Sequence, residues 1–125
     1  MAAVGLDHVQ LAMPIGAEGQ ARGFYVGLLG LVERPKPAVL AARGGCWFAL
    51  PGSPSEIGEV HVGVEDPFVP ARKAHPGLLV DDLAGLVETL MQQGFPYTPD
   101  DNIPGLLRGH TADPFGNRIE LIQQT

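Results

Sequence analysis

Eight consecutive residues, Gly58-Glu59-Val60-His61-Val62-Gly63-Val64-Glu65, alternate between apolar side chains and side chains with chemical potential. Val60, Val62 and Val64 point one way and Glu59, His61, Gly63 and Glu65 the other, the period-two pattern of a strand with one face on a core and one face free. The free face carries an imidazole flanked by two carboxylates. Such an imidazole is a metal ligand or general base when other strands bring more His and Glu to it, and otherwise a hydrogen-bonded rim residue. His8, His75 and Glu120 lie on strand-like segments of the same kind and predict the first outcome.

Three imidazoles and one carboxylate suit a borderline divalent cation: zinc, nickel, cobalt, iron(II) or manganese. Calcium or magnesium asks for more oxygen ligands. Taken singly, each strand histidine also reads as a core or rim residue and Glu120 as a surface carboxylate. Their joint placement on the non-core faces of strands is what favours a metal.

The elements that would position them repeat. Leu6–Met13 alternates, with Val9, Leu11 and Met13 opposite His8 and Gln10, before Pro14 ends the strand. A helix is predicted from Ala17 to Leu28 on the stripe Ala21, Phe24, Tyr25, Leu28, with Gly30 as its left-handed terminator. Gly19, Gly23 and Gly27 share one helix face, either for close backbone approach or as an exposed, tolerated stripe. Leu31–Arg34 reads as a strand. Val39–Leu50 is one bent strand or a hairpin turning at Arg43-Gly44-Gly45, with Cys46–Leu50 its firmer half, and Pro51-Gly52-Ser53-Pro54 is a turn.

Residues 66–73 have no period and read as a linker. After them come a strand over Ala74–Val80 with His75 near its start, and a helix capped by Asp81-Asp82. Its stripe is Leu83, Leu86, Val87, Leu90 and Met91, and Gly94 stops it. Strands follow at Phe95–Thr98, Leu106–Thr111 and Arg118–Ile122, with Asp113-Pro114-Phe115-Gly116-Asn117 as turn chemistry. Both halves read strand, helix, strand, strand, strand. The expectation is one α+β domain over residues 1–125, built of two βαβββ modules, 5–65 and 74–123, with related sites where such units meet.

Composition narrows the function classes. A chain of 125 residues with a net charge of −6 lacks the basic footprint of a nucleic-acid binder. Cys46 is the only cysteine, read as a buried, inert thiol, which excludes an internal disulfide and a thiolate zinc cluster. No apolar run approaches the roughly 20 residues of a membrane span. Residues 1–5 lack the basic start of a signal peptide, so a cytoplasmic setting is expected.

Asp7-His8-Val9, Ala74-His75-Pro76 and Asp113-Pro114-Phe115-Gly116-Asn117-Arg118-Ile119-Glu120, set in the paired modules, resemble the vicinal oxygen chelate superfamily. That group includes glyoxalase I, extradiol dioxygenases, fosfomycin-modifying transferases, methylmalonyl-CoA epimerase and bleomycin-binding resistance proteins. The resemblance implies a cupped, barrel-like mixed sheet with helices outside, a divalent metal held by His8, His61, His75 and Glu120, and a homodimer. It departs at His61, where glyoxalase I-like members tend to have a carboxylate and the epimerase an amide. The dioxygenase and fosfomycin types use two His and one Glu, here His8, His75 and Glu120.

The implied activity is that of a glyoxalase I-like lyase or isomerase working through a metal-bound enediolate of a small substrate, with Glu120 as general base. The alternatives are an extradiol dioxygenase, in which His61 serves as base or donor, and a non-catalytic drug- or metabolite-binding protein. Gln10, Trp47, His110 and Arg118 are candidate pocket residues. Arg108 and Arg118 are candidate cations for an anionic substrate group, Phe48 and Phe115 candidate wall residues, and Glu59 or Glu65 a partner orienting His61 or part of a solvated rim.

Overall fold

In the computed structural model, which describes residues 1–52 and 58–125, the chain forms two compact units, 1–69 and 70–125. Ser53 and Pro54 of the expected turn lie outside the described residues. The first unit runs β1 (His8–Met13), α1 (Glu18–Arg22), β2 (Val32–Arg34), α2 (Ala38–Ala41), β3 (Cys46–Ala49) and β4 (Glu59–Val64). The second runs β5 (Gly77–Val80), α3 (Leu83–Gln92), β6 (Thr98–Pro99), β7 (Arg108–Ala112) and β8 (Arg118–Gln123). Each unit contains one four-stranded mixed sheet, in the orders β1-β4-β3-β2 and β5-β8-β7-β6. The α+β class and the repeated strand-helix-strand-strand-strand plan are as expected.

In both sheets the first strand pairs parallel with the last and the remaining pairs are antiparallel. Parallel neighbours need a long crossover, and the helix and two middle strands supply it. The apolar faces then close on the helices. Met13, Ala21, Phe24, Tyr25, Cys46, Phe48, Val60 and Val62 are buried in the first unit, with Tyr25 and Phe48 rings stacked at 5.2 Å. Leu83, Leu90, Ile119 and Leu121 do the same in the second. Cys46 is the buried thiol its strand pattern predicts, and burial pushes its pKa up.

Several elements differ from expectation. The first helix is α-helical only to Arg22 and continues to Leu28 as a wider π-helix, still burying Phe24 and Tyr25. Nothing lies within 4 Å of a Cβ built on Gly19, Gly23 or Gly27, so their stripe makes no close backbone approach. Residues 38–41 are helical rather than extended, since a short apolar run has no period that separates strand from helix. The Phe95 N–H bonds to the Leu90 carbonyl and the Gly94 N–H to Met91, so Phe95 belongs to a Schellman helix end and not to β6. Met91 is 61% exposed, which trims the α3 stripe. His75 precedes β5, because Pro76 has no N–H for the ladder, although its carbonyl accepts from Glu120 N at 3.0 Å.

The loop after α2 depends on two glycines. Gly44 and Gly45 both have positive φ, +75° and +85°, and a Cβ on Gly45 would collide with the Val62 carbonyl of β4. Gly45→Ala therefore combines backbone strain with a backbone clash. It is expected to lower unfolding stability by about 1–3 kcal/mol or more, read as a shift in urea midpoint at unchanged m-value.

Candidate functional site

Register explains which side chains meet. On the first sheet Gln10 pairs with His61, and His8 lies two residues before Gln10 on the same face. On the second, Gly77 pairs with Glu120 and His75 lies two residues before Gly77. His61 and Glu120 thus hold equivalent places, as do His8 and His75. The antiparallel neighbours are Trp47 opposite His61 and His110 opposite Glu120.

In the first unit the arrangement is a stack. The His61 ring lies between His8 and Trp47, with centroids 4.2 Å away on each side and interplanar angles of 18° and 6°. Its Nε2 donates to Glu59 Oε1 at 2.9 Å, and Arg34 Nε donates to Glu59 Oε2 at 2.6 Å. The expected free face is therefore covered: His61 is 6% and Glu59 3% exposed. Glu59 is the partner that orients His61, while Glu65 is exposed. Burial pushes the His61 pKa down, against the pull of Glu59. Burial alone would raise the Glu59 pKa, but hydrogen bonds from His61 and Arg34 bring it below the ordinary value. His61 is then a neutral ring with its proton on Nε2 and Nδ1 as its acceptor. His8 Nδ1 donates to Asp7 Oδ1 at 2.8 Å.

In the second unit the groups converge without being stacked shut. His75 Nδ1 lies 2.7 Å from the Lys73 carbonyl, which can only accept, so that nitrogen carries the proton. The other nitrogen, Nε2, faces Glu120 Oε1 at 3.0 Å. Glu120 Oε2 accepts from Arg108 at 3.0 Å, and Arg108 also pairs with Asp100 at 3.1 Å. His110 Nε2 accepts from Arg118 at 3.1 Å and lies 3.6 Å from Glu120 Oε1. Burial, reinforced by Arg118, lowers the His110 pKa. Burial opposes ionisation of Glu120, but hydrogen bonds from His75 and Arg108 lower its pKa overall.

The structure therefore brings His8 together with His61 in one unit, and His75 together with Glu120 and His110 in the other. His75, His110 and Glu120 each offer a ligand atom within 4.8 Å of one another. Two imidazoles and a carboxylate are a fitting set for a borderline divalent cation. His110 was legible only as a pocket residue, because its register against Glu120 is not visible in its own strand. Arg108, read as a cation for substrate, is instead committed to Glu120 and Asp100. Arg34 gave no signal at all, since its carboxylate partner sits on a strand not adjacent in sequence. A cavity of about 270 Å³ in the first unit is lined by Gln10, Lys36, Arg43, Trp47 and His61, among others. No described helix is long and apolar enough to cross a membrane.

No protein-family model matches the sequence, and no curated protein does. Solved structures do match. A protein from Bacillus anthracis assigned to the glyoxalase family is 41% identical, with a TM-score of 0.87 over 100% of this chain and 98% of that one. TnmS3, an antibiotic-binding protein from a Streptomyces species, is 23% identical with a TM-score of 0.74, covering 100% of this chain and 99% of that one. The fosfomycin resistance protein FosX from Listeria monocytogenes is 13% identical with a TM-score of 0.75, covering 99% and 96%. The last two share the fold.

The depressed pKa values set a pH dependence. Histidines of the unfolded chain bind protons as pH falls through about 6.5, whereas His61 and His110 resist until lower pH. Their contribution to stability is thus present above that value and lost on acidification toward their folded pKa values. Glu59 and Glu120, also depressed, lose theirs below the ordinary carboxylate range. Urea midpoints measured from pH 8 down to about pH 2.5 should fall on acidification in both windows, and His61→Gln should flatten the upper one.

Proposed function

The chain belongs to the glyoxalase family of the vicinal oxygen chelate superfamily, and on that premise we propose that it is a divalent-metal-dependent, glyoxalase I-like lyase or isomerase of a small substrate. The observation that supports this most is the pair His75 Nε2 and Glu120 Oε1. His75 Nδ1 lies 2.7 Å from the Lys73 carbonyl, which turns Nε2 toward Glu120 Oε1 at 3.0 Å, and Arg108 holds the other carboxylate oxygen. His110 offers a third ligand atom, and the three lie within 4.8 Å of one another. His75, Glu120 and His110 would hold the ion. When bound, it supplies Lewis acidity toward two neighbouring substrate oxygens.

The protein groups do the rest. The Lys73 carbonyl fixes the His75 tautomer and ring orientation. Arg108 grips Glu120 Oε2 and holds the carboxylate plane, so that Oε1 is the oxygen that would hold the ion and, on letting it go, would take a proton from a carbon next to a carbonyl. In the first unit His61 is locked on Glu59 and covered on both ring faces, an arrangement that does not suit a base. A second reading, a metabolite-binding protein without catalysis, is favoured by one feature. Arg108 already neutralises Glu120 and Arg118 already donates to His110 Nε2, so the network is satisfied in part without an ion.

Metal analysis after chelator-free purification separates the two. The expected outcome is near-stoichiometric zinc, nickel, iron, manganese or cobalt, reduced tenfold or more by His75→Ala and by Glu120→Gln with circular dichroism unchanged. A protein that stays metal-free after dialysis against each ion would overturn the metalloenzyme and leave the binding protein.

A further inference from the structure

The cavity of the first unit has a chemistry of its own. Its lining combines Lys36 and Arg43 with the Gln10 amide, the Trp47 ring and the His61 edge, over an apolar floor of Leu40, Val62 and Val64. Of the eight lysines and arginines in the chain, Arg22, Arg34 and Arg108 are paired with carboxylates. Two of the remaining five line this one cavity, and no described carboxylate does. Two acids bear on it from outside the lining: Glu59, held by His61 and Arg34, and Glu18. Glu18 Oε2 accepts from the Gly45 N–H at 2.9 Å, and that bond first, with Arg22 and Lys36 after it, holds its pKa down. With Glu59 paired to Arg34, Lys36 and Arg43 against Glu18 leave the cavity cationic in a chain whose net charge is −6.

The walls are built rather than incidental. Lys36 Nζ donates to the Gly44 carbonyl and ties its ammonium to the loop whose glycines lie against β4. An ammonium has three donors, so this bond leaves capacity for an anion. The Gln10 amide lies over Gly63 beside the cavity, within 2.5 Å of where a Cβ would stand, so a side chain there would displace it. At about 270 Å³ the space falls just under the roughly 300–1,000 Å³ of drug-sized sites and fits a small molecule.

We propose that this cavity binds the oxyanion group of a small organic acid, with Lys36 and Arg43 as counter-charges, the Gln10 amide as a neutral donor, and Trp47, Leu40 and Val62 against its short apolar body. The binding does not rest on the metalloenzyme reading, because every lining residue is in the first unit and none is His75, His110 or Glu120.

Trp47 is the only tryptophan, so intrinsic fluorescence reports this cavity directly. Benzoate, phenylphosphonate and uncharged benzamide would each be titrated into the whole protein, with and without a chelator. The expected result is a saturable change for at least one anion, at least tenfold weaker for benzamide, weakened by raised salt and indifferent to the chelator. Arg43→Gln, at an exposed position, should weaken anion binding about tenfold, and Lys36→Gln as much or more; thermal melts would show whether the second variant still folds. The stronger of the two anions assigns a carboxylate or a phosphonate ligand. Benzamide binding as well as the acids, absence of saturation with either acid, or an Arg43→Gln protein with unchanged affinity would overturn the proposal. A metal-free protein that still binds benzoate would overturn only the metalloenzyme.

Discussion

Parallel pairing of the first and last strands in each unit is the constraint on which the rest depends. Residues i and i+2 of a strand share a face, so a histidine two places before a paired position becomes the diagonal neighbour of the residue opposite that position. That relation places His8 against His61 on the first sheet and His75 against Glu120 on the second. A register slip of one residue would send each pair to opposite faces. The alternating valines, leucines and isoleucines of β4 and β8 guard against it, because the slip would also expose the core.

The two pairs have equivalent positions and different content, and burial makes the difference matter. A carboxylate as buried as Glu59 is tolerated only when its oxygens are bonded to donors. Arg34 and His61 supply one each. That bond locks the His61 tautomer, and Trp47 and His8 close both faces of its ring. In the second unit Glu120 stands where His61 does, and His110 stands where Trp47 does. The same frame there yields a carboxylate and two imidazoles aimed at one another rather than an aromatic stack.

Much of this was legible from residues. Strict alternation marked β1, β4 and β8, and helix stripes with positive-φ glycines at 30 and 94 marked both helix ends. The matching places of His8 with His75 and of His61 with Glu120 followed from the repeat. What a single strand cannot show is what its neighbour lays across it. The face of β4 looked free because Arg34 and Trp47 reach it from β2 and β3, in an antiparallel register that no local pattern encodes. Arg108 misread for the same reason, its partners being Asp100 and Glu120. The residues of α2 gave no period long enough to tell a helix from a strand.

The electrostatics also decide which group suits proton transfer. His61 has a depressed pKa, donates its only N–H to Glu59, and offers a substrate no open ring face. To act as a base it would have to gain a charge in a buried place where desolvation already opposes that charge. Glu120 also has a depressed pKa, but through hydrogen bonds from His75 and Arg108 that overcome its burial. A group held down by contacts regains basicity when one contact is given up, whereas a group held down by burial does not. In the proposed reaction Glu120 would regain basicity by giving up the contact at Oε1 while Arg108 keeps its grip on the far oxygen. The departure at His61 therefore removes a carboxylate from the first unit without removing the base.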